Sequence, residues 1–374
     1  MISRDSIAAV VPVHNRADLL AQLLDSIAAQ TTPFTEVIVV DNASTDGAAA
    51  LARARGCTVL PQSSNVGFAR AVNLGWQVAA GTGKKDSRWI AILNSDVTLD
   101  PHWLERLLAN AADFSFAAGT IFNATDRQTV DGTYDLLSRS GCAWRAGHGE
   151  RLSGNSARAG RTTQPRVVAE SLDAAGRADR ALSGSSATPV RIAIAPGTAC
   201  LFRRDVLERL NGFDEEFGSY LEDVDLGLRC IRQGFGGVYV PDALAWHRGS
   251  ATLGRWNPRV VRLISRNQLL LIRRHYDREL FRACAWPIVA GQLLWGLVAL
   301  RHGAPLAWLA GKLDALKSFR LEGQPSPQLR DFLDASEREI RHRARDLYWR
   351  WYFRLTSPFA PPSGPVASPS GAAH

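Results

Sequence analysis

The sequence has few of the residues that build disulfide frameworks or zinc clusters. It contains no Cys-x-x-Cys pair and an odd number of cysteines, at positions Cys57, Cys142, Cys200, Cys230 and Cys284. Disulfide-rich domains and zinc sites need paired or closely spaced cysteines, so both classes are disfavoured. We therefore expect reduced thiols in the core of a cytoplasmic protein.

Signatures of secretion and of common nucleotide-binding loops are also missing. The apolar stretch before His14 is only a few residues long. It is too short for a signal peptide, so we expect the fold to begin directly. Neither a Walker A loop nor a Gly-x-Gly-x-x-Gly fingerprint occurs, which disfavours a dinucleotide-dependent enzyme.

Lysine is scarce, because only four of the 44 basic residues are lysines, at Lys84, Lys85, Lys312 and Lys317, and the others are arginines. The formal net charge of +8 suits an anionic partner, which could be nucleic acid, a phospholipid surface or a phosphorylated substrate. Arginine favours bidentate contacts with phosphate, although a bias in genome composition would produce the same excess.

Short apolar runs alternate with segments of helical periodicity in the first hundred residues. The β-branched run at 7–13 is followed by leucines at helical spacing, and the strand-like segments at 36–40, 57–60 and 89–94 continue the alternation. This alternation predicts an α/β domain with a mostly parallel sheet and helices on both faces. Ligands of such sheets bind beyond the carboxyl ends of the strands.

Composition divides the 374 residues into a main domain, an annex and a tail. We assign residues 1–255 to the main α/β domain, with a Gly-, Ser- and Arg-rich flexible insertion at about 146–188. A helical, basic annex is predicted at 256–354, and the Pro- and Ser-rich segment 355–374 is predicted to be a disordered tail.

Polar, turn-forming clusters follow the first three strands, at 12–16, 41–46 and 64–73. Each cluster taken alone is also compatible with ordinary turns, in which Asn and Asp bond to their own backbone. The fourth strand ends in Asn94 and Asp96, where a carboxylate could hold a divalent cation against a diphosphate.

Acidic residues are concentrated between 213 and 229, immediately before a helical pattern. Carboxylates at a helix N-terminus often serve only as caps, but capping explains six acids less easily than one or two. His247 follows another strand-like run, and a histidine there is compatible with a structural hydrogen bond or with metal binding.

Six segments resemble, in this order, the large inverting family of type-A-fold glycosyltransferases known as family 2. They are VVPVHNR, VIVVDNASTD, NVGFARAVNLG, ILNSDV, FDEEFGSYLEDVDLGLR and AWHRGSAT. The resemblance covers roughly residues 7–254 and implies a type-A glycosyltransferase fold, an α/β fold with a nucleotide-binding, doubly wound mixed sheet, here followed by a C-terminal helical annex. The segment 265–276 is similar to the branch of rhamnosyltransferases that build lipid-linked or cell-wall glycans.

The resemblance implies a nucleotide site in which Asp41 accepts a hydrogen bond from a pyrimidine base. Uridine and thymidine diphosphate donors are equally compatible with this carboxylate. The implied contacts to the nucleoside and the segment that closes its pocket come from Pro12, His14, Asn15, Asp41, Asn65, Gly67 and Asn73.

The same resemblance implies a divalent cation, either Mg²⁺ or Mn²⁺. Asp96 matches the last acid of the family's metal-binding Asp-x-Asp motif, and His247 matches an additional metal ligand. Asn94 replaces the first acid of that motif, so the metal would have fewer protein carboxylates and the position would contact substrate.

The acidic segment supplies the reacting groups that the resemblance implies. Asp223 is predicted to be the general base and Glu222 to position the acceptor. Asp225 is interpreted as a helix cap, while Gly197 and Thr198 resemble the family's acceptor-side lining.

The annex contains an uncharged stretch at 283–300, which would be about 27 Å long as a helix. Three alternatives remain open for it: a helix in the membrane interface, a helix packed on the catalytic domain, and a membrane span. The later segment HRARDLYWRWYFRL fits an interfacial anchor or a basic helix with one aromatic face on the core. We expect peripheral contact with the inner leaflet of the plasma membrane.

Together these features predict an inverting glycosyltransferase that uses a nucleotide-sugar donor. The best-matched reaction moves L-rhamnose from dTDP-rhamnose to a hydroxyl of a lipid-linked or polysaccharide acceptor in cell-envelope glycan synthesis. A family member that uses a UDP-hexose and a catalytically silent sugar-nucleotide scaffold are the alternatives. A nucleic-acid partner is not expected, because no such motif occurs and the basic residues are spread along the chain.

Overall fold

The computed structural model describes residues 6–81, 87–151, 188–249, 256–317 and 319–357. In these ranges we number the strands β1 (Ile7–Val13), β2 (Glu36–Asp41), β3 (Thr58–Pro61), β4 (Trp89–Leu93), β5 (Val97–Leu99), β6 (Phe116–Asn123), β7 (Val130–Gly132), β8 (Asp135–Leu137), β9 (Ala143–Arg145), β10 (Val190–Ile192), β11 (Ala199–Arg203) and β12 (Gly237–His247). The β-α alternation predicted for the first hundred residues is confirmed.

The helices of the main domain are α1 (Ala17–Ala28), α2 (Ala48–Ala54), α3 (Phe68–Gly81), α4 (Trp103–Asn110), α5 (Arg204–Leu210) and α6 (Glu222–Arg232), with a 3₁₀ turn at Glu215–Phe217. Those of the annex are α7 (Pro258–His275), α8 (Arg278–Ala283), α9 (Ala285–Arg301), α10 (Pro305–Leu316), α11 (Pro327–Arg343) and α12 (Leu347–Thr356). The predicted helical annex is therefore present.

The central sheet has the strand order β10-β12-β6-β11-β4-β1-β2-β3, with β5 paired to β12 and β7 paired to β6. β1 runs parallel to β2 and β4, and β2 runs parallel to β3. β11 runs antiparallel to both β4 and β6. β6 runs parallel to β12, whereas β5 and β10 run antiparallel to β12 and β7 runs antiparallel to β6. The expected mostly parallel sheet is thus found in β1 to β4 and again in β6 and β12, and the antiparallel strands β5, β7, β10 and β11 give the mixed sheet of a type-A fold.

Helices cover both faces of this sheet, and alternate residues of each strand point to opposite faces. Val10 and Ile38 belong to the hydrophobic cluster that includes α3, while Val11 and Val39 belong to the cluster that includes α1 and α4. Because β1 and β4 are buried along their whole length, their sequences IAAVVPV and WIAIL contain no polar residue.

The segment 190–203 forms two separate strands. β10 pairs antiparallel with β12, whereas β11 pairs with β4 and β6 at the centre of the sheet. Residues 193–198, which include Pro196 and Gly197, separate the two strands. Proline has no backbone N–H for a sheet ladder, and glycine weakens a strand, which accounts for the interruption.

Two predicted segments fall largely outside the described residues. The insertion at 146–188 is described only at its ends, and there Ala146 is buried and donates its backbone N–H to the carbonyl of Tyr134. Only 355–357 of the tail are described, and Leu355 and Thr356 are the last residues of α12.

The annex packs against the main domain through a hydrophobic cluster that joins Phe217 and Val224 to Leu271 and Leu333. Within the ranges that the structure describes, no helix has the length and apolar character needed to cross a membrane.

Candidate active site

The sheet topology brings the predicted site residues to one edge. β1, β2 and β4 are parallel, so their carboxyl ends at Val13, Asp41 and Leu93 lie on the same side of the sheet. β11 is antiparallel to β4 and therefore begins at this edge. β6 is antiparallel to β11 and parallel to β12, so β12 runs toward the same edge and ends there at His247. Strand direction alone thus gathers residues that are far apart in sequence.

The loops after β1 and β2 are tied to each other. Asn15 adopts a left-handed backbone conformation, with a φ of 61°, and its N–H donates to the Ser44 hydroxyl at 2.8 Å. The side-chain oxygen of Asn15 accepts from the N–H of Thr45, and His14 Nδ1 lies 2.8 Å from the carbonyl oxygen of Asn42. Asp41 is buried and accepts from the Ser44 N–H at 3.0 Å. The Asx turn considered for this cluster is therefore present, at the edge where a nucleoside would bind.

The segment after β3 meets the acidic segment directly. A side chain at Gly67, where φ is 85°, would place its Cβ 2.9 Å from the carbonyl oxygen of Gly218, so this close approach requires glycine. Asn65 accepts a hydrogen bond from the Gly67 N–H, which shapes the turn.

Asn73 is buried and uses its whole amide group inside the protein. Its Nδ2 donates to the carbonyl of Phe213 and to Glu215, while its Oδ1 accepts from the Phe213 N–H and from Trp76. The structure therefore gives Asn73 the role of holding the segment 213–215 against α3, in place of the direct substrate contact expected from the sequence.

Asp96 and His247 come together, as the predicted metal site requires. Antiparallel pairing of β5 with β12 places Val97 opposite His247, and Asp96 Oδ1 lies 3.2 Å from His247 Nε2. On the other side of the ring, His247 Nδ1 is 2.8 Å from Asp131 Oδ2. Burial lowers the pKa of His247, but the hydrogen bonds and charges of Asp131 and Asp96 outweigh it and raise that pKa to about 9.

The donor set of this pair fits a divalent cation. A carboxylate oxygen and an imidazole nitrogen are accepted ligands of Mn²⁺, and a carboxylate bonded to the second ring nitrogen is a common support of metal-binding histidines. In the described ranges no three His, Cys, Asp or Glu residues form a metal cluster. Diphosphate and water oxygens would therefore supply the remaining ligands.

Asp223 begins α6 together with Glu222, beside the start of β11. Its Oδ2 accepts the Gly197 N–H at 2.9 Å, and its Oδ1 accepts the Val224 N–H at 2.9 Å. Burial raises the pKa of Asp223, and the charge of Asp135 raises it further, while Arg145 opposes both effects. A carboxylate with a raised pKa is a stronger base, as proton abstraction requires.

Glu222 is buried beside Asp223, and its Oε2 has no hydrogen-bond partner among the described residues. Burial and the neighbouring Asp223 charge raise the pKa of Glu222 well above its usual value. Buried polar groups without a partner are uncommon, so this oxygen has a hydrogen bond still to make.

Asp225 is not a helix cap. It lies in the first turn of α6, where its carboxylate is 2.8 Å from both His275 Nε2 and the Arg229 guanidinium. Burial raises the pKa of Asp225, but the hydrogen bond and charge of His275 and the charge of Arg229 lower it below the usual range. Asp225 therefore joins α6 to α7, because its side chain points into the protein.

Three further predicted residues, Asn94, Gly197 and Thr198, link the segment before Asp96 to Asp223. The Asn94 N–H donates to the carbonyl of Thr198 at 2.9 Å, and Thr198 follows the Gly197 that bonds to Asp223. Gly197 lies directly against Asp223, because an added Cβ would be 3.4 Å from the Asp223 side chain, an ordinary contact distance. Pro12 is buried in β1 opposite Val40, so it shapes the floor of the site.

Three residues at the site were not predicted. Asp131 forms a hydrogen bond with His247. Arg145 pairs with Asp135 at 3.0 Å and lies 3.9 Å from Asp223. Asn267 holds the backbone before α6. Asp131 and Arg145 belong to short strands with no recognisable pattern, and Asn267 is one polar residue in a helix. No local signal in the sequence distinguishes them.

Comparison with known proteins identifies the family. The profile described as Glycosyl transferase family 2 matches residues 8–210, and that described as Glycosyl transferase family group 2 matches residues 168–311. N-acetylglucosaminyl-diphospho-decaprenol L-rhamnosyltransferase from Mycobacterium tuberculosis is 30% identical over 261 residues, which are 67% of this chain and 78% of that protein. The pre-mycofactocin glycosyltransferase of the same organism is 27% identical, over 85% of this chain and 57% of its own length.

Similarity to a solved structure supports the same assignment at the level of the fold. The crystal structure of GalNAc-T7 with UDP, GalNAc and Mn²⁺ superimposes with a TM-score of 0.53 at 13% identity, covering 84% of this chain and 58% of that one. The predicted type-A fold is thereby confirmed. Because the family profile matches more than half of the sequence, the chain belongs to glycosyltransferase family 2 and is a glycosyltransferase.

Proposed function

We propose that this protein transfers L-rhamnose from dTDP-rhamnose, with inversion, to a hydroxyl of a lipid-linked or polysaccharide acceptor in cell-envelope glycan synthesis. The observation that carries the proposal is that Asp223 and the pair of Asp96 with His247 occupy one edge of the sheet. The similarity to an enzyme named as an L-rhamnosyltransferase supports the choice of sugar.

Asp223 is the general base of the proposed reaction. The acceptor oxygen forms a bond to the anomeric carbon while the bond from that carbon to the diphosphate oxygen breaks, and the leaving diphosphate takes the bonding pair. The acceptor proton passes to the Asp223 carboxylate, which the Gly197 N–H orients. The partnerless Glu222 oxygen bonds the acceptor hydroxyl and positions it.

Asp96 and His247 would hold a divalent cation, Mg²⁺ or Mn²⁺, which neutralises charge on the leaving diphosphate. Asp41, in its fixed turn between β2 and the Asn15 loop, would accept a hydrogen bond from the base of the donor. Asn65 and Gly67 border the same pocket, and Asn94 lies between the nucleotide and acceptor sides.

The proposed acceptor is held in a membrane, so we place the enzyme at the inner face of the plasma membrane as a peripheral protein. The annex supplies exposed apolar and basic side chains next to the catalytic domain, which suits a prenyl-diphosphate-linked acceptor.

The test is the release of nucleoside diphosphate from a panel of nucleotide sugars, with and without Mn²⁺, by the wild type and by Asp223→Asn. We expect metal-dependent release of dTDP from dTDP-rhamnose, and a loss on the order of 10²–10⁴-fold in Asp223→Asn. Binding of dTDP, measured by calorimetry, should be unchanged in the variant. The matched control is Asp113→Asn, which makes the same chemical change at an exposed residue remote from the site.

Other outcomes would support the alternatives. Release of UDP from a UDP-hexose would keep the enzyme class and reject the rhamnosyl donor. Donor binding without turnover would favour a catalytically silent sugar-nucleotide scaffold. Full activity in Asp223→Asn would reject Asp223 as the base.

A further inference from the structure

The annex exposes an unusual amount of apolar side chain. In the part of the chain that the structure describes, every exposed large hydrophobic residue lies on α9, α10 or α12. These residues are Trp286, Val289, Leu293, Leu297, Leu300, Leu306, Leu309, Leu313, Leu316, Leu347, Trp351 and Leu355. Scattered apolar residues on a surface need no explanation, but a concentration of this kind marks an interaction site.

The exposed residues form one stripe on each helix. Their spacing is three or four residues from position 286 to 300 on α9, from 306 to 316 on α10 and from 347 to 355 on α12. This spacing keeps all the members of a stripe on the same side of a helix.

The three stripes adjoin because the helices pack on one another. Trp286 Nε1 donates to the carbonyl of Leu355 at 2.9 Å, which joins α9 to α12. A Cβ on Gly296 would lie 2.9 Å from the indole of Trp308, so α9 and α10 are in close contact. We call the surface formed by the twelve residues the apolar face.

The opposite side of α9 is fixed to the main domain, which orients the apolar face toward solvent. Gln292 Nε2 donates to the carbonyl of Ser140 at 2.7 Å. A Cβ on Gly291 would come within 2.3 Å of the Ser140 side chain. Of the three alternatives for α9, the structure shows a helix packed on the catalytic domain. The outer side of α9 faces solvent and is available to a partner.

Basic residues accompany the apolar face. Arg282 and Arg301 flank the uncharged length of α9, and Arg350 and Arg354 are exposed on α12. None of the four has an acidic partner within the described ranges. The Arg354 guanidinium lies 5.3 Å from the ring of Trp351, so cation and indole share one surface.

We propose that the apolar face docks on a lipid bilayer that contains anionic phospholipid. Leucine and tryptophan side chains enter the boundary between headgroups and acyl chains, while the arginines bind lipid phosphates. Charge complementarity selects this partner over a second copy of the chain, because two such faces would bring unpaired arginines together on proteins of net charge +8.

This inference extends the proposed membrane location and rests on it, but it does not depend on the identity of the donor sugar. α7 links the docked helices to the catalytic edge: Lys312 of α10 donates to the carbonyl of Ser265 on α7, and Asn267 of α7 holds the backbone before Asp223. A docked annex would thus hold the acceptor side of the site near the bilayer.

The experiment is flotation of the full-length protein with large unilamellar vesicles, made either of phosphatidylcholine alone or with one quarter phosphatidylglycerol. We expect binding to the anionic vesicles, and at least tenfold weaker partitioning for Leu297→Glu/Leu309→Glu/Trp351→Glu. All three positions are exposed, so the variant should fold normally. The control Ala28→Glu/Gln77→Glu/Ala112→Glu adds the same charge at exposed positions of the main domain and should bind like the wild type.

A second variant separates the two parts of the surface. Arg350→Gln/Arg354→Gln should bind anionic vesicles several-fold more weakly, and this difference should shrink at high salt. Equal flotation of the wild type and the leucine and tryptophan variant would overturn the proposal. The proposal would also be overturned if the wild type did not bind vesicles and light scattering showed a wild-type dimer that the leucine and tryptophan variant does not form. Donor hydrolysis measured without vesicles tests the proposed function separately.

Discussion

At the scale of single residues, the contact between Asp131 and His247 leads to a prediction about metal binding that can be measured. Its carboxylate lies 2.8 Å from His247 Nδ1, while His247 Nε2 faces Asp96. A carboxylate in this position fixes the orientation of a ligating imidazole and increases its basicity. Burial raises the pKa of Asp131, but His247 lowers it below the usual range, so the carboxylate is ionised at neutral pH.

We therefore expect Asp131→Asn to weaken Mn²⁺ binding about 10–100-fold. The measurement is titration of the protein with Mn²⁺ in the presence of dTDP, followed by electron paramagnetic resonance, which requires no turnover. Asp126→Asn is the matched control, because Asp126 is exposed on the neighbouring turn and bonds only within it. Equal affinities in the two variants would remove Asp131 from the metal site.

At the scale of secondary-structure elements, α7 holds the start of α6. Tyr220 and Leu221 both have left-handed backbone angles, with φ values of 72° and 67°, immediately before Glu222. Such angles are costly for residues other than glycine and persist only where surrounding contacts enforce them. The Nδ2 group of Asn267, which is fully buried, donates to the carbonyls of Phe217, Ser219 and Tyr220.

Asn267 is therefore a positioning residue for the segment that carries Asp223. In Asn267→Ala we expect kcat to fall on the order of 10²-fold, because small displacements of reacting groups have large effects on rate. The KM for the donor should stay near the wild-type value, since Asp41 and Asp96 lie on other loops. Asn110→Ala, which removes an amide on α4, is the control; a parallel rise in KM would contradict a role limited to positioning.

At the scale of the whole molecule, stability depends on a lysine buried between the annex helices. Lys312 donates to the Ser265 carbonyl and to the side chains of Gln268 and Gln292, and no carboxylate pairs with it in the described residues. Burial lowers the pKa of Lys312 to about 7. The unfolded chain, with a lysine pKa near 10.4, therefore binds more protons than the folded protein between these values.

Since the unfolded state binds more protons in this window, the free energy of unfolding should rise with pH. We expect the wild type to gain about 2 kcal/mol relative to Lys312→Met between pH 7 and pH 9. Urea unfolding of both proteins at a series of pH values measures this gain. Lys317→Met removes an exposed lysine and should show no such difference; a constant gap between wild type and Lys312→Met would show that the Lys312 pKa is ordinary.

The sequence by itself determined the strands and helices of the nucleotide half and the polar residues that follow them. Hydrophobic periodicity and turn chemistry are local properties, so β1 to β4 and the clusters at Asp41 and Asp96 follow from short segments. The resemblance of six ordered segments then indicated the family, and the comparisons confirmed it.

Only the tertiary structure decided which distant residues meet. Asp131 and His247 are 116 positions apart, and their contact depends on the pairing of β6 with β7 and β12. The inward direction of Asp225 likewise depends on His275, a residue of α7. Helix α9 is apolar on all sides, so its sequence could not indicate which side packs on the domain and which side faces outward. The orientation of α9 is determined by its contacts with the neighbouring elements, because only these contacts distinguish one apolar side from another.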